Sequence, residues 1–218
     1  MSGDARITTV ISDFGGVLTT PLVQSFAAVQ DETGIPFERL AQAMAAIQQR
    51  DGKHPLFELE TGRLTEADFL GGLTDELEPM LGHRPALHRF REIYFDALHP
   101  NEPMIDLMRE AKAGGFRMGL LTNNVREWEP LWRSMLPVDE IFELVVDSGF
   151  EGMRKPDPEI YELTVERLGD GIAPEQCLFV DDVEVNVAAA RELGMRALHF
   201  RGNEQAIAEI RAELGDGR

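Results

Sequence analysis

Short, nearly unbroken apolar runs recur along the chain, separated by longer stretches in which apolar residues return at helical spacing. The runs are Val10-Ile11, Phe116 to Leu121, Ile141 to Val146, Cys177 to Val180 and Ala197 to Phe200. Continuous apolarity, rather than alternation, predicts strands buried on both faces. Met104, Ile105, Leu107 and Met108 share one face of a helix predicted from Asn101 to Ala113, which Gly114-Gly115 stops. Asp157-Pro158-Glu159 opens another, with Asp157 as N-cap and proline at the first helical position. A third runs from Val185 to Leu193 and ends at Gly194. Strands alternating with helices through short loops predict an α/β fold, a parallel sheet with helices on both faces.

The interval from Pro21 to Leu98 breaks this rhythm, because it holds helix patterns and no convincing strand. Thr65-Glu66-Ala67-Asp68 has the form of a capping box ahead of an apolar helical run through Phe69, Leu70 and Leu73. Gly34-Ile35-Pro36, Gly62 and Gly82 to Pro85 punctuate the remainder. The reading is a helical insertion, residues 21–98, interrupting a core made of residues 1–20 and 99–218. The segment His99 to Pro103 is the expected hinge.

Composition narrows the partners. With 218 residues the chain is long enough to bury a substantial core. A formal net charge of -18 argues against nucleic-acid and anionic-membrane surfaces, both of which need clustered Lys and Arg. It does not exclude an anionic metabolite admitted by a local positive site. Cys177 is the only cysteine and lies in an apolar run, so it reads as a small core residue in a reducing compartment. Met1 to Arg6 lacks the apolar stretch of a secretory signal, and no run is long enough to span a bilayer. A soluble cytoplasmic protein, monomer or homodimer, is expected.

Four chemically capable sites fall at the carboxyl ends of successive predicted strands: Asp13, Thr122-Asn123-Asn124, Lys155 and Asp181-Asp182. In open parallel sheets that edge is where ligands bind, so residues distant in sequence can converge there. Two adjacent acids after a strand need a cation, and a hard divalent ion on Asp13 and Asp182 resolves their repulsion; Mg2+ is the natural choice. A phosphoryl group beside that ion would meet the Thr122 hydroxyl and the Lys155 ammonium. Asp13 would attack phosphorus in line, giving an aspartyl-phosphate that water cleaves. Gly15-Gly16, directly after Asp13-Phe14, lets a ligand approach the backbone closely, which places Gly16 among the substrate-binding residues.

In this order, the four sites and the helical insertion resemble the haloacid dehalogenase-like hydrolase superfamily over essentially the whole chain. Asp13-Phe14-Gly15-Gly16-Val17-Leu18-Thr19, Leu121-Thr122-Asn123-Asn124 and Gly152-Met153-Arg154-Lys155-Pro156-Asp157-Pro158 are similar to the subgroup of α-glucose-1-phosphatase-like enzymes. They also resemble the amino-terminal phosphatase domains of epoxide hydrolases and of some acyl-CoA dehydrogenase fusions. The resemblance implies a three-layer Rossmann-like core with a small all-helical cap, and a Mg2+-dependent phosphatase acting on a small phosphorylated metabolite. It implies Asp13 as nucleophile and metal ligand, with Thr122, Lys155 and Asn123 on the phosphate. Asp182 would be a direct metal ligand, Asp181 an outer or additional one, and Asn186 would orient the site.

The departure is Gly15. Most phosphatases of the superfamily have an aspartate there, whose backbone carbonyl binds the metal and whose carboxyl acts as general acid and base. Glycine keeps the carbonyl and loses the carboxyl, which is worth about 10²- to 10⁴-fold in rate. Sugar 1-phosphates and acyl or aryl phosphates, which leave readily, suit such a site best. Two other readings stand beside it. One is a 2-haloacid dehalogenase, which needs no acid at position 15 but leaves Asp181-Asp182 unexplained. The other is a binding module that has kept the fold. In the insertion, Phe57, Glu58, Glu60 and Arg63 surround the break at Thr61-Gly62, and Lys53 reads as a solvated loop cation. Helical spacing assigns Phe57 and Trp132 to the core.

Overall fold

The computed structural model describes residues 5–169 and 171–215. Met1 to Asp4, the start of the segment read as lacking a signal, and residues 216–218 lie outside them. Five parallel strands form one sheet in the order β3-β2-β1-β4-β5. They are β1 (Thr9–Ser12), β2 (Arg117–Thr122), β3 (Leu144–Asp147), β4 (Cys177–Asp181) and β5 (Arg196–His199). The central strand β1 pairs with β2 through Thr9↔Arg117 to Ser12↔Leu120, and with β4 through Thr9↔Cys177 to Ser12↔Val180.

Both faces of the sheet are buried, as the apolar runs predicted. Val10, Leu120, Leu178 and Val180 point to one cluster, while Ile11, Leu121, Val146 and Phe179 point to another. Between β1 and β2 the chain forms α1 (Leu22–Thr33), α2 (Phe37–Asp51), α3 (Pro55–Glu60), α4 (Glu66–Leu81), α5 (Phe90–Asp96) and α6 (Glu102–Ala113). After β2 come α7 (Glu129–Met135), α8 (Val138–Ile141), α9 (Ser148–Glu151), α10 (Pro158–Leu168), α11 (Glu184–Glu192) and α12 (Asn203–Leu214). The first cluster takes in Met104 and Met108 of α6 and Ile210 of α12. The second takes in Ile160 and Leu168 of α10 and Ala190 of α11.

Helices α1 to α5 carry no strand, and α1 packs on α5 as α2 packs on α4. Their apolar faces, including Val29, Leu40, Leu73 and Phe90, join the first cluster, so the core runs without interruption from sheet to helices. Where the chain leaves and re-enters the sheet domain, Thr19 bridges Pro100 and the Asn101 amide donates to Val17 O at 2.8 Å. The Thr65 hydroxyl accepts from Asp68 N–H at 3.1 Å, the half of the capping box that matters most for the start of α4.

Three local expectations differ from the structure. The run Ile141 to Val146 is not all strand: Pro137 opens the short helix α8, whose Ile141 is buried, and β3 starts only at Leu144. Asp157 holds the N-cap position of α10 with no side-chain bond to the helix, where Pro158 has already removed one of the free N–H groups. The apolar runs ending at Leu121 and Val180 stop one residue short, since Thr122 and Asp181, placed at the carboxyl ends of strands, are themselves the last residues of β2 and β4.

Candidate active site

The carboxyl edge of the sheet gathers the expected residues. Asp13 follows β1 directly, and its N–H donates to Val180 O at 2.8 Å, which extends the ladder by one residue and fixes the carboxyl over the middle of the sheet. Lys155, only 1% exposed, reaches across from the loop before α10 and places Nζ 2.7 Å from Asp13 Oδ1 and 2.7 Å from Asp181 Oδ2. Burial alone would drag the ammonium down, but the two carboxylates outweigh it and hold Lys155 above its ordinary value.

Asp181 is fully enclosed, and its oxygens are taken up by neighbours. Oδ1 accepts from Val183 N–H at 2.8 Å and Oδ2 from Lys155, while the Asn186 amide lies 3.1 Å from each oxygen. The expected orienting role of Asn186 thus takes the form of a clamp on Asp181, and Tyr161 in turn donates to Asn186 O at 3.0 Å. Asp182 faces outward beside Gly16. A Cβ at Gly16, whose φ is +76°, would stand 2.1 Å from Asp182 Oδ2, so glycine gives the carboxylate its space. Gly16 N–H donates to Thr19 Oγ1 at 3.0 Å. Its part in this geometry is to make room, whereas the sequence suggested contact with substrate.

Asn123 also has a local task. Its side-chain oxygen accepts from Lys155 N–H at 2.8 Å and its amide donates to Lys155 O at 2.9 Å, pinning the lysine loop to the end of β2. The neighbouring Thr122 is 1% exposed.

Asp13, Asp181 and Asp182 each offer a carboxylate oxygen, and these oxygens lie within 4.8 Å of one another. Burial, with the neighbouring acids added, pushes Asp13 up to about 8 and raises Asp182 as well. Lys155 alone does not relieve this crowding, and an all-oxygen donor set of this spacing suits a hard divalent cation. The residues therefore fit magnesium.

The insertion closes over this edge. Arg154 Nε pairs with Glu60 Oε2 at 2.7 Å, and its guanidinium lies 4.1 Å from the Phe57 ring centre. Arg63 donates to Gly152 O at 2.6 Å and Ser148 Oγ to Glu60 O at 2.5 Å. A Cβ on Gly62, at φ +65°, would be 2.2 Å from Gly149 O, so backbone meets backbone there. Phe57 is 44% exposed and lines the site, a correction to its assignment to the core, because α3 ends at Glu60 and turns this face toward Arg154. Trp132 is core as expected. Lys53 is a solvated cation, 66% exposed and 3.2 Å from Glu58.

Two cavities meet at this place. One, of about 770 Å³, is lined by the charged residues of the site, among them Asp13, Lys155, Asp182, Arg154 and Arg63. The other, of about 330 Å³, lies between the helices of the insertion and the sheet, and its wall is nearly all aromatic and aliphatic. Gly15, Leu22, Glu60 and Asn123 line both. Glu60 was visible in the sequence only as a neighbour of a helix break. Burial holds its carboxyl above the ordinary range against the pull of Arg154.

Residues 7–194 match the family model for haloacid dehalogenase-like hydrolases. The chain is 29% identical to acyl-CoA dehydrogenase family member 10 of Mus musculus, over 98% of its own length and 20% of that protein's. It is 33% identical to a sesquiterpene phosphatase of Aspergillus oryzae, over 54% of this chain and 59% of that one. A phosphatase of Mycobacterium tuberculosis is 32% identical across 88% of this chain and 86% of its own. The chain thus spans only part of the first two. A solved enzyme of Bacteroides thetaiotaomicron from the same family shares the fold at TM-score 0.69 and 24% identity, covering 89% of this chain and 94% of its own. That enzyme has also been solved with magnesium and inorganic phosphate.

Proposed function

The chain belongs to the haloacid dehalogenase-like hydrolases and is a hydrolase of the phosphatase type, and from that premise we propose a magnesium-dependent phosphatase with Asp13 as its nucleophile. The observation that carries this reading is the Asp13 carboxylate held 2.7 Å from a buried lysine, beside two further acids spaced for a cation. Asp13, Asp182 and the Gly15 carbonyl are the proposed ligands, with Asp181 backing them. Bound there, the ion would offset the carboxylate charge and that of the phosphoryl oxygens.

One Asp13 oxygen attacks phosphorus as the bond to the leaving oxygen breaks, and that oxygen takes a proton. Water then attacks the phosphorus of the aspartyl-phosphate and gives up a proton to the group that protonated the leaving oxygen, the bond to Asp13 breaks, and inorganic phosphate departs with the carboxylate restored. Lys155 and Thr122 hold the phosphoryl oxygens, and Asn123 keeps Lys155 in line through its backbone. With glycine at 15, the proton for the leaving group comes from Glu60 in this reading. What supports it is that Glu60 lines both cavities beside Gly15 and that burial favours its protonated form. The substrate is a small phosphorylated molecule, and the reducing cytoplasm suits the lone buried Cys177.

Phosphate release from p-nitrophenyl phosphate with magnesium tests the mechanism. Asp13→Asn should fold as the wild type does and lose turnover by at least roughly 10³-fold. Unchanged release would overturn it.

A further inference from the structure

Of the residues proposed for phosphoryl transfer only Gly15, Glu60, Thr122 and Asn123 line the apolar chamber, and its aromatic and aliphatic walls are unexplained by that chemistry. We infer that the chamber receives the apolar body of the leaving alcohol, so that the substrate class is the phosphomonoester of a flexible apolar alcohol of roughly ten carbons. This rests on the phosphatase reading and names the substrate of that same site.

Continuity comes first. Gly15, Leu22, Glu60 and Asn123 line both cavities, and Thr122, a proposed phosphate residue, lines the chamber. The chamber therefore adjoins the space over Asp13 at Gly15, next to where a bound phosphate would lie. At that junction a Cβ on Gly15 would lie 3.1 Å from the Leu22 methyl groups, so an aliphatic side chain flanks the position from which the alcohol leaves.

Chemistry comes second. Beyond the junction the wall is built from Phe26, Leu40, Met44, Phe69, Leu73 and Phe90, with Phe37 48% exposed at its outer side. A sugar would have to bury hydroxyls against these side chains without partners. Glu60 is engaged by Arg154, and Thr122, Asn123 and Asn124 belong to the loop at the phosphate end. Among phosphate monoesters with good leaving groups, this wall disfavours the sugar phosphates. Size comes third: at about 30 Å³ for each heavy atom, as for liquid water, a cavity of about 330 Å³ holds roughly ten carbons.

The test compares ethyl, hexyl, decyl and hexadecyl phosphate, below micellar concentration and with magnesium, alongside p-nitrophenyl phosphate and glucose 1-phosphate. The expected result is a kcat/KM that rises about three- to four-fold per methylene and stops rising near ten carbons. Decyl phosphate should outrun glucose 1-phosphate. Met44→Trp, which fills the chamber from α2, should lower the decyl-to-ethyl ratio at least roughly ten-fold. Trp128 and Trp132, the two tryptophans of the chain, both line the chamber. Titration of the unsubstituted protein with 1-decanol should therefore give a saturable change in emission that ethanol does not, and this arm stands even if Met44→Trp fails to fold. A flat chain-length series with p-nitrophenyl phosphate still hydrolysed overturns the inference and leaves the phosphatase reading intact. Saturable decanol binding with no phosphate hydrolysed removes the phosphatase reading, and the assignment of a substrate with it.

Discussion

A lysine 1% exposed is sustained only by what surrounds it, and at Lys155 two carboxylates at 2.7 Å do so. The same economy applies to Glu60, a mostly buried acid whose partner is Arg154. If Glu60 supplies the proton that Gly15 cannot, Glu60→Gln should slow alkyl phosphates by about 10²-fold or more and p-nitrophenyl phosphate much less. Adding Gly15→Asp should restore part of the loss. Because the new Cβ would lie 3.1 Å from the Leu22 methyls, Leu22→Ala belongs in the same protein. Equal slowing of both substrates, with no rescue, would make Glu60 a purely structural partner of Arg154. Asp13, Thr122 and Asp181-Asp182 were legible at the sheet edge because each follows an apolar run that announces a strand end, whereas Lys155, expected at the end of a strand, lies beyond α9 in the loop before α10 and reaches the edge from there. For Gly16 and Asn123 the sequence suggested contact with substrate and gave no sign of the local tasks the structure shows, space for Asp182 and a hold on the Lys155 backbone. Whether a glycine contacts substrate or makes space for Asp182, and whether an amide faces phosphate or Lys155, depends on partners remote in sequence.

Strand β3 ends at Asp147, whose carboxyl accepts from Gly149 N–H at 2.9 Å and opens α9, the element that bears Ser148 and Gly149 against the insertion. Burial pushes this acid up to about 6 from 3.8, the Gly149 bond pulling back. Folded, it keeps its proton to about pH 6; unfolded, it gives it up near pH 4. Its contribution is complete below about pH 4 and is lost as pH rises through 6, about 3 kcal/mol in all. Urea unfolding at pH 4 and pH 7 should show the wild type losing more stability over that interval than Asp147→Asn, by about 2–3 kcal/mol. Parallel curves would refute it. At this scale the sequence was a good guide to which elements exist and a poorer one to where they stop. Ile141 and Phe142 look like strand because they are apolar, yet they are buried from a helix end and a turn. Apolarity reports burial, and only the backbone's partners decide between strand and helix.

Across the whole molecule, the insertion is held to the sheet by a continuous apolar core and by a few directed contacts around Glu60, Gly62 and Arg63. Gly62 meets Gly149 O so closely that Gly62→Ala should part the two surfaces. Stability should fall by about 1–3 kcal/mol and KM for p-nitrophenyl phosphate should rise roughly ten-fold, with kcat changed less. Denaturant unfolding and steady-state kinetics measure both, and an unaltered KM would deny the contact any part in closure. No helix among the described residues is long and apolar enough to cross a membrane. The position of β1 has a further effect during synthesis. Its four residues lie mid-sheet, so one edge waits for Arg117 to Leu120 and the other for Cys177 to Val180. On the ribosome, then, the strand that positions Asp13 is made before both of its partners and completed only with the second, and until Arg117 to Leu120 emerge Val10 and Ile11 belong to an unpaired sticky segment. The helical insertion emerges in that interval, when local helices can form while the distant pairings wait.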